Sequence, residues 1–376
     1  MYQRKLDLPG LLSKSSYFLF GPRSVGKSSL IKAQLPEAPV FDLLDEDVCE
    51  ELSRRPRALG ERIKSSPPLV VIDEIQKIPK LLDEVQRLME QRSLRFLLTG
   101  SSSRKLKRGG ANLLGGRARE MHLHPLVFAE IADFDLLKYL NVGGIPRIYL
   151  SEEPLEDLKA YGRLYLAEEI KAEAAVRNSE RFVRFMETMA VSNGQEVNYQ
   201  NLSNDCGVPS RTIEAHIEIL KDTLIGFELL PFQKTVKRKA TTKSKFYFFD
   251  CGVANHFSQR LPMGPGQSDL GVSFEQFIIQ EVRAYLGYAR KDMPLAYWRT
   301  RGYEVDLIVG RDLAVEIKFS ERFQPKSLKG LLALKEEGLI RRYMAVGRFP
   351  EGGTSQGIEY LGYREFLGML WAGKLL

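Results

Sequence analysis

Tyr17-Phe-Leu-Phe-Gly21-Pro-Arg-Ser-Val-Gly26-Lys27-Ser28-Ser-Leu30 is the stretch whose reading decides the fold. Tyr17 to Phe20 is a short apolar run of the kind that forms a buried strand. It leads into Gly21-Pro22-Arg23-Ser24-Val25-Gly26-Lys27-Ser28, a complete G-x-x-x-x-G-K-[ST] loop, and Ser29 opens a helical pattern that runs to Ala33. Glycines at these positions let the backbone curl so that its N–H groups face phosphate oxygens, and the following helix adds partial positive charge. Lys27 is placed to reach the β- and γ-phosphates, and Ser28 to offer a hydroxyl to Mg²⁺. The expected ligand is ATP with Mg²⁺, held by residues 21–29.

Working outward, Val40 to Leu44 reads as a second strand, and a helical run from Glu46 to Ile63 is interrupted at Pro56. Leu69-Val-Val-Ile-Asp73-Glu74 is an apolar strand ending in two acids, and Arg95-Phe-Leu-Leu-Thr99-Gly-Ser101 a strand ending in hydroxyls. Strands alternating with helices indicate a parallel sheet covered on both faces, with ligands at the carboxyl ends of the strands. That edge collects the phosphate loop, Asp73, Glu74, Thr99 and Ser101. Asp73 is assigned to Mg²⁺, and Glu74 to positioning or deprotonating the attacking water. Thr99 or Ser101 is a candidate contact for the γ-phosphate or that water. Arg117, after Gly115-Gly116, is a candidate for stabilising transferred charge in its own subunit or a neighbour, with a surface ion pair as the alternative.

The 376 residues are too many for one core, so several domains are expected. Hydrophobic content of 44% and charged content of 27% are those of an ordinary globular protein, and no stretch approaches a membrane span. Cys49, Cys206 and Cys251 lie far apart, and the four histidines show no zinc spacing. Thiols in a reducing compartment, the cytoplasm, are the expectation. Net charge is +7, and six basic residues without an intervening acid lie between Lys234 and Lys245. The basic excess is thus concentrated in one stretch, which points to a polyanion-facing surface.

Several phrases together carry a family resemblance. GPRSVGKSSL, LVVIDEIQ, LLTGSSSRKL, the GGR at Gly115–Arg117 and HLHPLVFAEI resemble the prokaryotic AAA+-type ATPases with a C-terminal domain of unknown function. The match continues through Gly143-Gly144-Ile145-Pro146 to the C-terminal motifs, over nearly the whole chain. Ser28 stands where threonine is commoner, which keeps the hydroxyl. The resemblance implies a helical lid in which Gly144 and Pro146 lie against adenine, and, with Arg117, a homo-oligomeric ring such as a hexamer. Helical spacing over Leu155–Asn178 and Glu180–Ser192 supplies the lid, with Arg163, Lys171 or Arg177 as candidate second sensors.

Tyr199–Asp205 and Arg211–Leu224 read as two helices joined by a glycine turn, followed by two strands flanking the basic stretch. This is the pattern of a winged helix. Arg211, Thr212, His216 and Lys221 are expected to face a DNA groove, and Lys234, Lys237, Arg238, Lys239, Lys243 and Lys245 its backbone. Finally, Asp306 with Glu316-x-Lys318, and Glu275 on a preceding helix, resembles the metal centre of PD-(D/E)xK nuclease-like proteins. There the acids would bind Mg²⁺ and Lys318 would position hydroxide.

The expected architecture is α/β. A P-loop core spans residues 1–127, a helical lid 128–194, a winged helix 195–250 and an α+β, restriction-endonuclease-like domain 251–376. The expected function is ATP hydrolysis coupled to DNA binding or remodelling. An ATP-regulated, metal-dependent nuclease and a signalling or defence ATPase that binds protein partners are the alternatives.

Overall fold

A computed structural model describes residues 2–63, 69–101, 114–165, 179–264 and 266–376. The chain forms two compact units, one built from residues 1–124 and 219–225 and the other from most of the remainder. Lys171 and Arg177 lie outside the described residues, as does the side chain of Arg163.

The first unit is a five-stranded parallel sheet. Its strands are β1 (Ser16–Phe20), β2 (Val40–Asp42), β3 (Leu69–Asp73), β4 (Arg95–Gly100) and β5 (Ala118–His122), in the order β2-β3-β4-β1-β5. Nearly every residue of β1, β3 and β4 is buried, as helices on both faces require. The core joins Phe18, Phe20, Ile72, Phe96 and Leu98 to Leu81, Val85 and Leu88 of the helix Leu81–Arg92. Burying side chains of this size contributes about 1.5–3 kcal/mol each. Register pairs Phe20 with Gly100 and Ile72 with Leu98, so the strand ends bearing Gly21, Asp73 and Thr99 are adjacent.

The second unit contains β6 (Gly226–Pro231), β7 (Lys245–Phe248), β8 (Leu295–Thr300), β9 (Tyr303–Val309), β10 (Leu313–Lys318), β11 (Arg342–Gly347), β12 (Gly353–Ser355) and β13 (Ile358–Gly362). They make one mixed sheet in the order β12-β13-β11-β10-β9-β8-β6-β7. The helices Tyr199–Cys206 and Ser210–Asp222 and the hairpin-like pair β6–β7 have the expected succession. The separation expected at residue 250 does not divide the sheet, however. Leu230 and Pro231 of β6 pair in parallel with Ala296 and Tyr297 of β8, so β6 and β7 form one edge of the C-terminal sheet. The physical reason is visible in β7, whose four residues are all buried and need cover on both faces.

Candidate functional site

The carboxyl edge of the first sheet assembles the phosphate-loop residues. Gly26 lies in the left-handed region (φ 94°), where a side chain would be strained, and starts the helix Lys27–Gln34. Gly21, Pro22 and Val25 are buried, whereas Arg23, Ser24, Ser28 and Ser29 are exposed. Arg4 braces the loop from outside by donating to the carbonyls of Val25 (2.7 Å) and His124 (2.6 Å). Lys27 is 7% exposed, and its Nζ donates to the carbonyls of Gly21 (2.7 Å) and Pro22 (3.2 Å).

Asp73 is the hub of the acidic side. Its Oδ2 accepts from Ser28 Oγ at 3.0 Å, and its Oδ1 accepts a short hydrogen bond from Thr99 Oγ1. Thr99 Oγ1 also accepts from the Glu74 amide (3.1 Å). Glu74 itself has φ 59°, a costly conformation for a residue with a side chain. A hard carboxylate and a serine hydroxyl in contact are the donor types that Mg²⁺ takes from a protein, so the pair fits that ion.

Gln76 is the functional candidate that sequence reasoning missed. It is 7% exposed, and its Nε2 donates both to Glu74 and to Ser101 Oγ (3.2 Å). Its Oε1 is buried and unpaired. A Cβ at Gly100 would come within 2.6 Å of that oxygen, so glycine there makes room for the amide. The available signal was the short turn after Asp73-Glu74, which folds Gln76 back to the strand end.

Other expected residues land elsewhere. Arg117 immediately precedes β5, whose Ala118 pairs with Ser16, the first residue of β1. It therefore lies at the amino edge of the sheet, about 16 Å from the phosphate loop at roughly 3.3 Å per residue. There it pairs with Glu90 (2.8 Å), the surface ion pair that is the alternative. In the second unit, Gly144 is buried, with its amide on Asp250 Oδ2 (2.8 Å) and its carbonyl on the Leu126 amide (2.7 Å). That turn is accounted for by packing, and only Pro146 is half-exposed. Burial pushes the Asp250 carboxyl up to about 6, against the opposing pull of the Gly144 and Val253 amides.

The expected DNA-facing residues divide. Arg211 is exposed and Thr212 and Lys221 are half-buried, but Glu214 and Glu218 share the exposed face of that helix. His216 is a correction. It is buried against the rings of Phe182 (4.8 Å) and Phe185 (5.0 Å), and that burial lowers its pKa. The basic stretch is partly consumed. Lys237 Nζ donates to the Glu336 carbonyl (2.6 Å), the amides of Val236 and Lys237 donate to Glu337 (3.0 Å each), and Arg238 pairs with Glu336 and Glu337. Lys234, Lys239 and Lys243 are exposed.

Lys245 is the second correction, because it lies in the nuclease-like centre and not on a surface. Its side chain is 4% exposed, and Nζ sits 3.1 Å from Glu275 and 2.7 Å from Glu304. Burial works against its ammonium, but Glu275, Asp306 and Glu304 outweigh that and raise its pKa. On the next strands, Lys318 Nζ lies 2.6 Å from Glu316 and 3.6 Å from Asp306, while Asp306 Oδ2 accepts from the Ile317 amide (2.7 Å). Burial, then the proximity of Asp306, raises the pKa of both Glu275 and Glu316. The expected four residues therefore do meet, but lysines are interleaved with the acids. Among the described residues no three His, Cys, Asp or Glu side chains are placed to hold one metal ion.

Comparison with known proteins finds three family models along the chain. Residues 13–132 match the family model described as an AAA domain, 133–263 a domain of unknown function (DUF8612), and 270–348 another (DUF4143). An uncharacterized protein of Mycobacterium tuberculosis is 28% identical over 80% of this chain and 69% of its own length. One from Haemophilus influenzae is 22% identical, over 81% and 78% respectively. The Bacillus subtilis DNA clamp loader delta protein aligns at 13% identity over 57% of this chain and 87% of its own, with a TM-score of 0.22, too slight a likeness to carry an argument. The matches support an AAA-type, P-loop ATPase domain joined to a domain of unknown function. Among the described residues no helix is long and apolar enough to cross a membrane.

Proposed function

We propose that this chain is an AAA+-type ATPase that hydrolyses ATP with Mg²⁺ and couples turnover to DNA held by its second unit. The convergence of Ser28 and Thr99 on Asp73, from three separate segments, is the observation that carries the hydrolytic part. The amides of residues 23–26 and the Lys27 ammonium would bind the β- and γ-phosphates. Ser28 and Asp73 would hold the Mg²⁺, which neutralises charge developing on the phosphoryl oxygens. Glu74 would take up the proton of the attacking water, with Thr99 and Gln76 fixing its direction.

The test is phosphate release from ATP with and without duplex DNA. Hydrolysis raised severalfold by DNA, and absent in Lys27→Ala, is expected. Turnover indifferent to every nucleic acid would remove the DNA half and favour a partner-binding signalling role. A homo-oligomer belongs to the same proposal, in which Arg117 would leave Glu90 to meet a neighbour's nucleotide. Specific activity independent of protein concentration, with a monomeric mass throughout, would count against it.

A further inference from the structure

We propose that DNA is gripped by its phosphate backbone in a cleft of about 380 Å³ at the end of β10, lined by Lys318, Arg322, Lys326 and Lys329, and not at the tip between β6 and β7. This rests on the DNA-coupled reading above and gives it a location. Arg322, Lys326 and Lys329 supply the cleft's charge beside Lys318, which is already engaged with Glu316, and no carboxylate lines it. Arg322, Lys326 and Lys329 are exposed, and among the described residues no acid pairs with them. The adjacent acid, Glu321, is turned onto Arg348 (2.6 Å).

The loop is also pre-formed. Ser320 Oγ donates to the Arg322 carbonyl (2.8 Å) and accepts from its amide (3.2 Å), and Ser327 Oγ donates to the Gln324 carbonyl (2.7 Å). Little ordering is therefore left for binding to cost. Lysine and arginine in such an arrangement read phosphate and carry no base information, so binding is indifferent to sequence and strongly dependent on salt. The tip offers the contrast. Lys237 and Arg238 already satisfy Glu336 and Glu337, and recruiting them to DNA would first break those contacts. Lys318 both lines the cleft and pairs with Glu316, so a strand held there lies beside the carboxylate–lysine cluster.

The experiment is a salt titration of a fluorescent 30-base-pair duplex on the full chain. Wild type is compared with Arg322→Ala/Lys326→Ala/Lys329→Ala and with Lys234→Ala/Lys239→Ala/Lys243→Ala. The cleft variant is expected to bind at least about tenfold more weakly at 0.1 M salt, with a log–log salt slope shallower by about 2.7, or roughly 0.9 per lost phosphate contact. Its melting temperature and DNA-free ATP hydrolysis should equal those of wild type. The tip variant should keep the wild-type slope. Wild-type affinity and slope in the cleft variant, or their loss in the tip variant alone, would overturn the location while leaving the DNA reading intact. Failure of wild type to retain any duplex would bring down that reading as well.

Discussion

Two centres in this molecule gather acids and lysines at strand ends, and they are held in opposite ways. In the first unit Lys27 rests on two backbone carbonyls, and Asp73 on the hydroxyls of Ser28 and Thr99. Such contacts are readily exchanged for those of an incoming phosphate or cation. In the second unit Lys245 lies between Glu275 and Glu304, and Lys318 between Glu316 and Asp306. There the charges already answer one another, and the Lys245 ammonium and the Asp306 and Glu316 carboxylates do so in a buried setting, where ion pairs are costly to separate. Motif spacing brought both sets together, but the partners decide which one is receptive to a ligand.

The largest effect expected on breaking this contrast is at Glu74. Glu74→Gln should lower the rate of ATP hydrolysis by about 10²–10⁴-fold, the usual worth of a positioned base, while ATP binding persists. Single-turnover phosphate release beside a fluorescent-nucleotide titration would check it, and unchanged turnover would remove Glu74 from its role. In the second centre, Lys245→Met should cost stability and leave ATP binding alone. It leaves two half-buried carboxylates without their buried counter-charge, at a cost below the roughly 3–5 kcal/mol of a fully buried pair. Denaturant unfolding followed at Trp298, which is fully buried in the same unit, would read it.

A smaller effect sharpens the first centre. Gln76→Leu preserves bulk but loses the amide that holds Glu74 and Ser101. It should reduce kcat by about 10–100-fold with KM little changed, as expected for a misplaced catalytic group. Equal losses in binding and turnover would instead mark a packing role.

The smallest effect concerns pH. Burial raises the Glu281 carboxyl to about 8, although the Phe128 amide (2.6 Å) and Trp371 Nε1 (2.7 Å) favour its ionised form. The folded state thus holds this proton more tightly than the unfolded chain. The stability so gained is complete below the ordinary carboxyl value near 4.5 and is lost as pH rises to about 8. Melting temperatures between pH 5 and 8.5 should show that decline in wild type, and a flatter profile in Glu281→Gln.

The sequence was most informative where chemistry is local. A strand, a glycine loop and a helix are contiguous, and the rule that parallel sheets bind ligands at their carboxyl edge placed Asp73 and Thr99 beside them. The same rule locates Arg117. A residue just before a parallel strand lies at the far edge, so the surface ion pair could have been favoured from the sequence. Lys245 misled because it closes a basic run, yet it also opens Phe246-Tyr-Phe-Phe249, whose burial draws it inward. The contacts of Arg238 with Glu336, and of Glu281 with Trp371, join residues about a hundred positions apart and leave no local trace.

The most direct measurement is calorimetric titration of Mg²⁺–ATP into the 376-residue chain and into Lys27→Ala. One nucleotide bound per chain, with binding lost in the variant, is the predicted result. Absence of binding to wild type, or equal binding by both, would contradict the account.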